Sequence, residues 1–166
     1  MSLPLAVFLF LHVMGAIAVF GPTFVFPVIT GQARKSPQNF PFAATLSEYI
    51  ERRIVIPGAI VQGITGLVLI GLLGVNPLTN AAYHWLIPGI ILYLIAITFA
   101  ITVQAKNAER MVHLMSAMPP GPPPAGAPAG PPPEIAELGK KLQQGGMLLT
   151  VLIVLIVIFM VTKPQF

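Results

Sequence analysis

The chain has 166 residues, of which 55% are hydrophobic and only 8% charged, with a formal net charge of +4 and no cysteine. So little charge, with a mean hydropathy of +0.85, excludes an ordinary water-soluble domain. The missing thiols exclude disulfides, thiolate metal sites, iron–sulfur clusters and haem attached through cysteine.

The apolar residues come in long runs. A hydrocarbon layer of about 30 Å calls for roughly 20 apolar residues in helical form. Residues 3–29, 54–75, 85–103 and 146–162 reach or approach that length. The expected fold is all-α: one polytopic membrane domain over residues 1–166, a four-transmembrane-helix bundle whose solvent is the lipid bilayer.

The first run, "LPLAVFLFLHVMGAIAVFGPTFVFPVI", carries His12 near its middle. No Lys or Arg precedes Arg34 and the run is longer than a signal-peptide core, so a retained span is expected. His12, Gly15, Ala16, Val19 and Thr23 fall at helical spacing on one mostly small-residue stripe. Pro22 and Pro27 are expected to kink or end this helix.

The first connection contains Arg34, Lys35, Arg52 and Arg53. Within it "KSPQNFP" reads as a turn. "FAATLSEYIERR" places Leu46, Tyr49, Ile50 and Arg53 at helical spacing, an interfacial helix leading into the second span with a kink at Pro57. Glu48 and Glu51, beside the two arginines, read as a solvated ion cluster at the boundary.

In the second span Ala59, Gln62, Gly63 and Gly66 form a stripe that matches the one on the first helix. Small residues allow close approach and polar ones bond across the gap. Gly63, Gly66, Gly71 and Gly74 read as packing positions rather than a phosphate loop. The second connection, "NPLTNAAYH", has no basic residue, and Tyr83 and Trp85 suit an interfacial aromatic belt.

The third span holds Tyr93. Beyond it, "AKNAERMVHLMSAM" reads as an extension of the helix, and "PPGPPPAGAPAGPPP", residues 119–133, as a stiff, hydrated polyproline-type spacer or a docking site for a proline-reading partner. "EIAELGKKLQQGG" sets Ile135, Leu138 and Leu142 on one face of a short helix before the final, uniformly apolar span.

Lys106, Arg110, Lys140 and Lys141 lie in the third connection, whereas the C-terminal tail has only Lys163. Cytoplasmic loops retain Lys and Arg, so an N-out/C-out orientation is expected. The same bias accounts for the positive charge, with no nucleic acid implied.

At about 1.5 Å per residue, His12 lies about 14 Å from the outer edge, Gln62 about 18 Å and Tyr93 about 12 Å. His12, Gln62 and Tyr93 are thus expected in one intramembrane polar layer. His12 has two open readings: a neutral imidazole joining helices, or a ligand in a cofactor or proton path. Haem b is the cofactor that a lone imidazole suggests.

Met111, His113, Met115 and Met118 contain soft copper ligands, yet helical spacing sends His113 away from the methionines. An adaptable apolar face is expected there, with no metal site. No carboxylate lies within a span, and no catalytic constellation stands out.

"FLHVMGAIAVFG" and Arg34, followed by "YIERRIVIPGAIVQGITGLVLI", resemble a family of bacterial four-helix integral membrane proteins. More distantly they are similar to the membrane domain of copper-resistance D proteins and to the haem-b-containing membrane protoporphyrinogen oxidases. The matching positions are His12, Gly21, Glu51, Arg52, Arg53, Pro57, Thr65 and Gly66, in the first half of the chain. The oxidase resemblance implies His12 as an axial haem ligand and a Lys soon after a Trp early in the third span. This sequence has Trp85 but Pro88 and Gly89 where that Lys would stand.

The expected function is a non-catalytic accessory or assembly subunit of a larger membrane complex in the bacterial cytoplasmic (inner) membrane. The alternative is a haem-b-binding redox protein using His12.

Overall fold

The computed structural model describes residues 2–34, 39–118 and 132–164. It is all-helical, with six helices among the described residues: α1 (Leu3–Arg34), α2 (Phe40–Ile50), α3 (Ile56–Leu73), α4 (Leu86–Phe99), α5 (Ala105–Ser116) and α6 (Pro133–Thr162). A π-turn over Glu51–Val55 joins α2 to α3, and another over Ala100–Gln104 joins α4 to α5. Four continuous rods result, each long and apolar enough to cross a membrane.

The rods form an antiparallel ring. α1 packs along α3, α4 along α6, α2 against α5, and α1 closes the ring on α6. The third rod, Ala81–Ser116, has 36 residues. At about 1.5 Å per residue it measures about 54 Å, well beyond a hydrocarbon layer of about 30 Å. The excess lies at the end bearing Arg52, Arg53, Lys106, Arg110, Lys140 and Lys141, the basic end.

Local chemistry explains the helix boundaries. Pro22 and Pro27 lie inside α1, which runs on to Arg34. Interior prolines are tolerated in a membrane helix when neighbouring groups satisfy the freed carbonyls. Pro41 sits in the first turn of α2, where its missing N–H has no partner to lose. Pro57 occupies the same place in α3, directly after the wider turn that relieves its clash with the preceding carbonyls.

Gly74 ends α3 with φ +62, a left-handed cap whose N–H reaches Gly71 O. A side chain at Gly71 or Gly74 would meet nothing within 4 Å, so neither is the packing position expected of it. At the far end of the bundle, the Lys163 ammonium lies 5.7 Å from the centre of the Trp85 ring and ties the end of α6 to the start of α4.

Burial divides the molecule in two. At the basic end, Met111, Met115, Ile135 and Leu138 form a closed apolar cluster with Phe40, Ala44, Leu114 and Leu142. Exposed ion pairs rim it: Arg52–Glu109 at 2.8 Å, Arg110–Glu134 at 2.6 Å and Lys141–Glu137 at 2.8 Å. This is the layout of a water-soluble bundle. In the spans, large apolar side chains such as Phe10, Ile17, Leu67 and Leu94 point outward, as a lipid solvent permits. The expected proline-rich spacer, residues 119–133, lies outside the described residues except for its last two positions; Pro132 caps α6 and Pro133 opens it.

Candidate functional site

The joint between α1 and α3 gathers His12, Gln62 and Thr65. Close approach makes it possible. A methyl group at Gly66 would lie 3.2 Å from His12 Cε1, one at Gly15 would lie 2.6 Å from Gln62 Oε1, and one at Gly58 would collide with Val19. These contacts set a single antiparallel register in which the small residues of each helix receive the larger side chains of the other.

His12 Nδ1 stands 2.9 Å from Thr65 Oγ1. The Thr65 hydroxyl donates to the Gln62 carbonyl at 3.0 Å. A hydroxyl has one proton, so Thr65 accepts at its other contact and His12 Nδ1 is the donor. The Nε2 lone pair then has no protein partner among the described residues, and His12 itself is only half-buried. The Gln62 amide donates to the His12 backbone carbonyl at 2.8 Å. Gln62 and Thr65 are both buried.

Tyr93 meets α3 beside this joint. Its hydroxyl donates to Ala59 O at 2.8 Å and rests against Gly63, where a side chain would collide with it. The structure therefore sets His12, Gln62 and Tyr93 around one stretch of α3 without a side-chain bond between any two of them. Gln62 meets the backbone of residue 12, and Tyr93 meets the backbone of residue 59. The side chain that engages the imidazole is Thr65. Its sequence signal was its place three residues after Gln62 on the same stripe.

A second joint was missed as well. Gln104, in the π-turn between α4 and α5, is buried and donates to Leu142 O at 3.1 Å, with its amide against Gly145. Its Oε1 is buried without a hydrogen-bond partner among the described residues.

The remaining candidates are scattered. Met111 and Met115 turn into the apolar cluster, Met118 is exposed, and His113 lines an open groove with Lys106, Glu109, Arg110, Leu114 and Glu134. His84 lies in the turn before α4, at the opposite end. Among the described residues no three His, Asp or Glu side chains come together as a metal site.

Four apolar rods with their larger side chains turned outward describe a protein built for a bilayer, and the family comparison agrees. A model of predicted integral membrane proteins matches residues 6–164, which covers all but the first three residues of the four rods. The chain belongs to the DUF2269 family of predicted integral membrane proteins. No curated protein and no solved structure matches it. The family description specifies the membrane and no activity.

Proposed function

We propose that the chain is a non-catalytic accessory or assembly subunit of a larger membrane complex, set N-out/C-out in the bacterial cytoplasmic membrane. The observation that carries this reading is the use made of the polar groups in the spans. Gln62, Thr65 and Tyr93 each give their proton to a backbone carbonyl, and His12 Nδ1 gives its proton to Thr65. Side chains engaged this way hold helices in register. The outward apolar faces offer surface to lipid and to neighbouring subunits.

Cross-linking in the native membrane, followed by purification in mild detergent and mass spectrometry, tests the reading. A second polypeptide in fixed stoichiometry is expected. A chain that cross-links to no other polypeptide would end the proposal.

A haem-b redox protein is the second reading, favoured by the direction of the His12 bonds. A ligating imidazole commonly donates its other N–H to a fixed acceptor, which orients the ring. Thr65 is such an acceptor, and it leaves Nε2 with its lone pair free. The donor set fits one axial ligand and not two, because His84 and His113 stand elsewhere. Bound haem would supply one-electron chemistry, while this chain's own part is to present Nε2 and hold the ring. The oxidase resemblance read from the sequence implies His12 as the ligand, but Pro88 and Gly89 in place of a Lys weigh against the oxidase reaction. A reduced-minus-oxidised visible spectrum of wild type beside His12→Ala separates the two readings. Haem bands lost in the variant favour the redox protein; a haem-free wild type, after growth with ample haem, leaves the joint as the role of His12.

A further inference from the structure

Glu51 is the only buried charged residue among the described ones, at 8% exposure. The sequence suggests an ion cluster with the adjacent arginines, but the structure separates them. Arg52 turns outward to Glu48 at 3.6 Å and Glu109 at 2.8 Å, and Arg53 is exposed. No hydrogen bond or ion pair reaches the Glu51 carboxyl among the described residues.

Among the described side chains, the segments packed most closely on it offer no counter-charge at its level. The π-turn that Glu51 opens packs mainly on α1, α2 and α3. Its Arg52 reaches α5, whose charged residues Lys106, Glu109 and Arg110 are all exposed, Glu109 on Arg52 and Arg110 on Glu134. α3 has no charged residue. α2 contributes Glu48, a like charge. The ionisable positions of α1 are His12 and Arg34. By the register of Val19 on Gly58, these lie about 20 Å and about 12 Å along the helix from Glu51.

The backbone is unusual at the same residue. The Ile56 N–H reaches past the normal helical partner to Glu51 O, so the wide turn begins at the buried acid. Such turns inside helices frequently accompany functional positions.

We propose that Glu51 is a proton-binding site, a side chain held inside the bundle as the neutral carboxylic acid that releases its proton to water when the basic end opens. An acid without a counter-charge is far less costly to bury than its carboxylate. The site binds a proton whichever reading of His12 holds. Its consequence is a basic end that is tight when Glu51 is protonated and loosened when it is not.

Infrared spectroscopy of the full chain in lipid vesicles, titrated from mildly acidic to mildly basic pH, tests this directly. Wild type is expected to show a protonated-carboxyl C=O band at neutral pH that shifts in D2O and fades as pH rises. Glu51→Gln should lack the band and Glu109→Gln should keep it. The sequence contains no aspartate, so Glu51→Asp, which should move the band, keeps the test valid if the glutamine variant does not fold. In parallel, a proton held by the folded chain and released on unfolding makes stability fall as pH rises. The wild-type Tm should therefore decline across neutrality, and that of Glu51→Gln should decline less. A neutral-pH spectrum without the band, or a band unchanged in both Glu51 variants, would overturn the proposal.

Discussion

Gln62 and Gln104 join their neighbouring helices in the same way. Gln62 Nε2 donates to His12 O at 2.8 Å while its Oε1 rests against Gly15; Gln104 Nε2 donates to Leu142 O at 3.1 Å while its Oε1 rests against Gly145. In each joint the glycine follows the carbonyl residue by three positions, so both lie on one helix face. A flat amide can lie on that face only where the glycine has no side chain. One joint closes the first helical hairpin and the other closes the second.

Adding a methyl at Gly15 should therefore destabilise the bundle through Gln62. Overpacking of this kind costs about 1–3 kcal/mol. Thermal unfolding in detergent should show Gly15→Ala well below wild type and Gly15→Ala/Gln62→Ala losing less than the sum of the two single changes. Strict additivity would mean that the two positions do not touch.

Gly63 and Gly71 should respond oppositely to the same substitution. A Cβ at Gly63 would strike the Tyr93 hydroxyl, whereas one at Gly71 meets open space. Gly71→Ala should be neutral or stabilising by up to about 1 kcal/mol, the helix preference for alanine. Gly63→Ala should lower Tm, with partial recovery in Tyr93→Phe. Equal effects at the two glycines would refute the contact.

His12 and Thr65 should behave as one unit. His12→Leu and Thr65→Val each remove the same bond, so the double variant should cost less than the sum, with a coupling of about 1 kcal/mol. A coupling near zero in a double-mutant cycle would sink the pairing.

Neighbouring residues at the basic end should differ sharply. Met111 is 2% exposed within the apolar cluster, and truncating such a residue to alanine costs about 2–5 kcal/mol. Arg110 makes an exposed ion pair with Glu134, and Arg110→Ala should cost under about 1 kcal/mol. Denaturation of the two variants side by side checks the ranking. Equal losses would contradict the described core.

The residues themselves determined the class of the protein. Four apolar runs and the lack of charge within them require a bilayer, because its thickness sets the length of each run and its interior rejects unpaired polar groups. Periodicity also showed which faces of the first two helices are small and polar, since 3.6 residues per turn is a property of one chain. Partner choice is a property of two. Only the tertiary structure gave the His12 ring to Thr65, buried Gln104 against α6, turned Glu51 inward while its arginines turned out, and made Gly74 a cap. Those outcomes depend on register and on rotation about each helix axis. A π-turn of one extra residue resets that rotation, and spacing along a single sequence does not reveal it.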